Sequence, residues 1–157
     1  MKPASYSQLY IHIIFAVGNQ NASITPAIRK HIFMYLDATI TQMGHKSIIV
    51  NGTSNHVHLF FGLNPNKSIS ETVLDLKQNS ALFINEAKLC PDQFYWQAGY
   101  GAFSYSHSNV VPIYYYILNQ HIHHRTKSFR EEYICILEKF EINYDERYLF
   151  DFWDQAE

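Results

Sequence analysis

Two clusters of residues in this chain could do chemistry. The first is the pair His56 and His58 in Asn55-His56-Val57-His58-Leu59-Phe60-Phe61. Successive side chains of an extended strand point to opposite faces, so the two imidazoles share one face while Val57, Leu59 and Phe61 share the other. Two imidazoles one strand repeat apart can grip a single ion. Histidines on a strand are more often partly buried polar residues than ligands. The second cluster shifts that balance: Tyr116-Ile117-Leu118-Asn119-Gln120-His121-Ile122-His123-His124, 60 residues further on, offers a nucleophile and a third ligand.

Three consecutive tyrosines, Tyr114 to Tyr116, have to be sorted. Helical neighbours lie at i+3, i+4 and i+7. Tyr115 lines up with Leu118 and Ile122 and reads as core, and Tyr114 lines up with Ile117 and Leu118. Only Tyr116 shares its stripe with Asn119, Gln120 and His123. Tyrosine is a poor nucleophile near neutral pH because its pKa is about 10. It can attack a phosphate when a metal ion draws charge from the target and nearby groups help remove the phenolic proton. His56, His58 and the Gln120 amide oxygen leave positions on one ion for phosphate oxygens and water. Such an oxygen-rich shell favours Mg²⁺ or Mn²⁺, with the imidazoles tipping it toward Mn²⁺. A phosphotyrosine bond conserves the energy of the phosphodiester, so a strand could be cut and rejoined without ATP.

The elements that must position these residues follow from periodicity. Gln8 to Val17 alternates and predicts a strand. Thr25-Pro26 predicts a helix start, and Ile28, Ile32, Tyr35, Leu36, Ile40 and Met43 continue at helical spacing until Gly44. His45 to Val50 predicts a second strand, ending in the turn residues Asn51-Gly52-Thr53-Ser54, and the His56 segment is the third. Strand, helix and two adjacent strands are the first half of a ferredoxin-like domain. Ser68 and Glu71 form a capping box opening a second helix with Ile69, Val73, Leu76 and Phe83 on its buried side. Tyr100 to Ser106 suits a fourth strand, Ser108-Asn109 caps a third helix, and Ser128 with Glu131 opens a last helix to about Phe140. The expected fold is α+β: a ferredoxin-like or RRM-like antiparallel sheet of about four strands with helices on one face, plus C-terminal helices.

The 157 residues fit one domain, with a core over about 5–137 and an acidic tail over 138–157. The net charge of −2 hides an asymmetry. Residues 1–130 carry +5 and residues 131–157 carry −7, so the body is mildly basic and the tail reads as a solvated face. Within the body, Lys77, Asn119, His123 and Arg125 are candidate contacts for a phosphate backbone. Cys90 and Cys135 show neither disulfide nor metal spacing and suit a reducing cytoplasm. The longest early apolar run, Leu9 to Val17, is too short to cross a bilayer, so no membrane association is expected.

The chain resembles the small HUH tyrosine transposases of the IS200-like insertion sequences and their REP-associated relatives. The matching pieces, in order, are Tyr6-Ser7, Asn55-His56-Val57-His58, Trp96-Gln97-Ala98-Gly99-Tyr100-Gly101-Ala102-Phe103-Ser104, Tyr116-Ile117-Leu118-Asn119-Gln120, His123-His124, Ser128-Phe129 and Glu131-Glu132-Tyr133. The resemblance implies His56, His58 and Gln120 as metal ligands and Tyr116 as the nucleophile of a 5′-phosphotyrosine intermediate. It also implies a homodimer that binds single-stranded DNA hairpins at element ends, with Tyr116 of one chain completing the site of the other. Two other readings remain open: a domesticated nicking enzyme with the same HUH chemistry, and a non-catalytic ferredoxin-like module binding single-stranded nucleic acid. The last leaves His56, His58 and Tyr116 without a role.

Overall fold

The computed structural model describes residues 4–153; the ends of the expected domain and of the acidic tail lie outside this range. Four antiparallel strands, β1 (Tyr10–Ala16), β2 (Lys46–Gly52), β3 (His56–Gly62) and β4 (Gly101–Tyr105), form one sheet in the order β2-β3-β1-β4. Helices α1 (Pro26–Gln42), α2 (Ile69–Glu86), α3 (Val110–Leu118), α4 (Gln120–His123) and α5 (Phe129–Lys139) complete an α+β fold. Among the described residues no helix is long and apolar enough to cross a membrane.

The register sorts the two faces of the sheet. Ile11, Ile13 and Phe15 of β1 lie opposite Phe61, Leu59 and Val57 of β3 and form the core face. Helices α1 and α2 cover it: Ile32, Leu36 and Ile40 are buried from α1, and Val73, Leu76 and Ile84 from α2. The Ser68–Glu71 capping box is fully formed, satisfying amides that the first turn leaves unpaired. Gly44 ends α1 at φ +84, a backbone conformation that disfavours side chains.

His12, His56 and His58 share the opposite face, pairing with Phe60, Ala16 and Ile14. That face is also covered, by α3 to α5 and the segment behind them, which is why β3 is buried at every position from His56 to Phe61. An antiparallel strand can keep one face wet; in β3 both faces are dry.

Two sequence expectations change. Strand β2 continues through Asn51 and Gly52, which the turn-like composition had assigned to a loop. The tail is a solvated face only in part: residues 141–148 are exposed, but the segment that follows packs back onto the body. Phe150 and Trp153 are buried, Phe150 stacks on Phe129, and the Trp153 indole donates to the Val17 carbonyl at 3.1 Å. Gln97 pins the same segment, donating to the Asp151 carbonyl and accepting from its amide. The acidic side chains there are interspersed with aromatic anchors, so charge counting missed the apolar contribution.

Candidate active site

Each histidine of β3 is oriented by a neighbour. The His56 Nδ1 lies 2.8 Å from Asn55 Oδ1 and 3.0 Å from the Thr53 hydroxyl. The Asn55 amide nitrogen donates to the Trp153 carbonyl, so its Oδ1 is left to accept, and the His56 proton belongs on Nδ1. The bare Nε2 then faces across the sheet toward α4 and α5. Phe129 stacks flat on the same ring at 3.9 Å. His58 turns its Nδ1 to His12 and its Nε2 the same way as His56.

What the two rings meet is Glu132. Its Oε1 lies 3.2 Å from His56 Nε2, 3.3 Å from His58 Nε2 and 3.0 Å from His124 Nε2. Its Oε2 accepts from the Gln120 amide at 2.8 Å and from the Tyr116 hydroxyl in a short contact. Glu132 is 3% exposed. Burial alone would raise its pKa, but the charge of His58 and the ring nitrogens of His124, His56 and His58 outweigh that and hold it well below the usual carboxylate range. Burial lowers His56 to about 4, against the opposing pull of Glu132, so this imidazole is neutral at pH 7 and able to act as a ligand. Burial and then the Glu132 charge push Tyr116 far above the ordinary phenol value.

The donor set fits a divalent cation. His56 Nε2, His58 Nε2 and a Glu132 oxygen lie within 4.8 Å of one another, all from buried residues. Gln120 Oε1 sits 3.2 Å from His56 Nε2. Donors around an octahedral ion bound at about 2.1 Å are separated by about 3.0 Å along each edge, close to these spacings. Three acceptors, His56 Nε2, Gln120 Oε1 and Glu132 Oε1, converge where a cation would relieve their mutual repulsion.

Tyr116 reaches this cluster because α3 is clamped to the sheet. Asn51 of β2 donates to the carbonyls of Ile117 and Leu118 at 2.8 and 3.0 Å. The Tyr116 ring rests on His123 at 5.0 Å and stands edge-on to His58 at 6.1 Å. A cleft lined by Tyr116, His123, His124, Thr126, Lys127 and Glu132 opens beside its hydroxyl. Within the chain, Tyr116 stands beside the Glu132 carboxylate that faces His56 and His58.

The sheet and helices thus bring together His56, His58, Gln120, Tyr116 and His123. Asn119 breaks the helix between α3 and α4, its carbonyl accepting from the amides of Ile122 and His123. Arg125 is exposed just past α4. Lys77 is elsewhere and already engaged: its ammonium donates to the Gln97 and Gly99 carbonyls at 2.8 and 2.6 Å and lies over the Phe15 ring. Half-buried and lowered to about 8 by that burial, it anchors the 97–99 loop and is no free phosphate contact. Tyr115 also departs from expectation. It is 55% exposed, with Leu118 and Ile122 also exposed, because α3 turns its Tyr116–Ile117 side to the sheet.

Glu132 was not among the residues singled out for chemistry, although a signal was there. Phe129, Glu132, Tyr133 and Leu137 form the buried stripe of α5, so one carboxylate occupies an apolar line. Its neighbour Glu131 serves the helix start: the Glu131 amide donates to Ser128 Oγ at 3.1 Å.

Comparison with known proteins resolves the family. Residues 5–120 match the family described as IS200-like transposase. The chain belongs to the IS200-like transposase family. Its members are HUH-type tyrosine transposases, so transposition and DNA binding come with membership. Similar solved structures include a protein of Deinococcus radiodurans R1 described as a candidate transposase, with 22% identity over 76% of this chain and 96% of that one, TM-score 0.59. Another is a REP-associated tyrosine transposase bound to a REP hairpin, with 11% identity over 79% of this chain and 74% of that one, TM-score 0.56. At these identities the two structures support the fold. No curated protein matches the chain. Family membership removes the non-catalytic binding module from the readings of this IS200-like transposase.

Proposed function

We propose that this transposase cleaves and rejoins single-stranded DNA beside hairpins, with Tyr116 as nucleophile and a divalent ion, Mg²⁺ or Mn²⁺, held by His56, His58 and Glu132 with Gln120 beside them. The observation that carries this reading is the two-sided use of Glu132. One oxygen faces the imidazole pair and the other accepts from the Tyr116 hydroxyl.

An ion in this site supplies charge neutralisation at the scissile phosphate. The residues themselves do the rest. Glu132 Oε2 holds the Tyr116 oxygen in place and takes its proton as that oxygen attacks phosphorus. The bond from phosphorus to the 3′ oxygen breaks, leaving a 3′ hydroxyl once that oxygen takes up a proton, and the 5′ side stays on Tyr116 as a phosphodiester. Rejoining runs the same steps in reverse with a new 3′ hydroxyl. While Glu132 is a full carboxylate, its charge and the burial of the phenol keep Tyr116 protonated. Sharing that charge with a bound cation would ease proton loss from Tyr116.

Hairpin DNA is the substrate we assign on the strength of the family and of a similar fold solved with a REP hairpin. His123 and Lys127 line the cleft, and the exposed Arg125 lies between them in sequence, offering basic groups to the phosphate backbone. Element-borne and domesticated copies would share this chemistry, and flanking hairpins in the genome distinguish them. The Tyr116–Glu132 contact within a single chain supports a site assembled in that chain, whether or not two chains associate. A heterodimer of His56→Ala and Tyr116→Phe chains therefore stays inactive, and restored activity would show sharing between subunits.

The test is a labelled single-stranded oligonucleotide carrying a flanking hairpin, incubated with Mn²⁺ and run on a denaturing protein gel. Wild type and Tyr115→Phe give a covalent adduct; Tyr116→Phe gives none. An adduct that survives Tyr116→Phe overturns the assignment.

A further inference from the structure

His12 lies outside every cluster that the sequence singled out. It sits fully buried in β1, on the same sheet face as His56 and His58. Its Nε2 is 2.8 Å from His58 Nδ1, and the two rings stack at 5.0 Å. Phe60, Phe103 and Tyr105 pack around it. Among the described residues its Nδ1 is buried without a hydrogen-bond partner. Such an atom loses its hydration without a replacement bond, so an apolar side chain would suit this place better if packing were its only task.

The two β3 histidines also differ in what stands behind them. Behind His56 is Asn55 Oδ1, which can only accept, so one tautomer is fixed. Behind His58 is an imidazole nitrogen, which can accept or donate. We infer that His12 is a positioning residue for His58: its Nε2 holds the His58 ring plane and exchanges tautomer with it. His58 Nε2 can then be an N–H toward Glu132 in the metal-free protein and a bare ligand atom when an ion is held. This rests on the reading that His58 Nε2 is a metal ligand.

The proton positions balance. In the metal-free protein His12 Nε2–H donates to His58 Nδ1, and His58 Nε2–H points to Glu132 Oε1 at 3.3 Å. With an ion on His58 Nε2, that proton leaves to solvent and the shared proton sits on His58 Nδ1, donating back to His12 Nε2. His12 takes one proton from solvent at Nδ1, and the pair keeps its net charge. A ligand imidazole normally gives its other N–H to a fixed acceptor; here the acceptor is one that also serves the empty site.

The test compares wild type, His12→Phe and His12→Gln. Gln places an amide near the Nε2 position and can accept or donate by flipping, whereas Phe fills the space and does neither. Mn²⁺ titration by calorimetry should show about tenfold to a hundredfold weaker binding for His12→Phe and within a few-fold of wild type for His12→Gln. Long-range ¹H–¹⁵N spectra of wild type with and without Mg²⁺ should show both His12 and His58 changing tautomer together. These spectra and His12→Gln carry the test even if His12→Phe does not fold. Equal Mn²⁺ affinity in all three proteins, or equal loss in both variants, overturns the inference. A tautomer change at His58 without one at His12 overturns it while leaving the metal site intact. No change at either ring removes the metal assignment and this inference with it.

Discussion

The Tyr116 hydroxyl donates to Glu132 Oε2, joining a side chain of α3 to one of α5 across the face of the sheet that carries His56 and His58. The same carboxylate turns its other oxygen to both imidazoles. One buried group therefore joins the proposed nucleophile to the proposed metal site, and this coupling has measurable consequences.

Glu132→Gln keeps the shape of the side chain but removes its charge and one acceptor. Metal affinity should fall about tenfold or more, and the rate of adduct formation about a hundredfold or more, as expected for the loss of a ligand and a proton acceptor together. Calorimetric Mn²⁺ titration and adduct kinetics read the two effects separately. Wild-type kinetics in Glu132→Gln would remove the carboxylate from both roles.

The ligands should not weigh equally. His58→Ala deletes a ring nitrogen aimed at the cluster and leaves His12 without its partner, so metal-dependent cleavage is abolished while hairpin binding remains. Gln120→Ala costs less, because water can replace a neutral oxygen ligand. Adduct yield against Mn²⁺ concentration, alongside hairpin gel shifts, ranks the two; a Gln120→Ala defect as deep as that of His58→Ala would reverse the order.

Acid should destabilise the metal-free fold through its buried imidazoles. His56 is lowered to about 4 by burial, from 6.5 in an unfolded chain, so below about pH 6.5 the unfolded state binds a proton that the folded state does not. Its stabilising contribution is complete above pH 6.5 and is lost as the pH falls through about 4. At pH 5 the loss from this residue is on the order of 2 kcal/mol. His12, lowered by burial and by the charge of His58 despite Glu132, adds in the same direction. Glu132 is itself held low and contributes its own loss only in stronger acid. Urea denaturation at pH 7 and pH 5 measures the difference, and equal stability at both values would contradict it.

Trp153→Ala should act on the site from behind. The indole is buried against the Val17 carbonyl, and its own carbonyl holds the Asn55 amide that sets the His56 tautomer. Truncating a buried tryptophan costs about 3–5 kcal/mol, and slack in Asn55 should also weaken Mn²⁺ binding. Thermal melts and metal titration check both effects; unchanged stability would mean that the tail is dispensable.

Local pattern alone sufficed for much of this protein. The alternation around His56 and His58 placed both rings on one face, helical spacing separated Tyr116 from Tyr114 and Tyr115 as the tyrosine beside Gln120 and His123, and the Ser68–Glu71 box marked the start of α2. These are short-range properties, set by two-residue and 3.6-residue periods. Tertiary structure decided what those periods cannot encode. It made Glu132 the hub, because only the packing of α5 against β3 brings that carboxylate within 3.3 Å of both imidazoles. It paired His12 with His58 through the β1–β3 register, 46 residues apart in sequence. It spent Lys77 on two loop carbonyls, turned Tyr115 outward, and drew the acidic tail under Asn55. Each of these depends on which surfaces meet once distant segments pack, and a sequence read locally carries no measure of that.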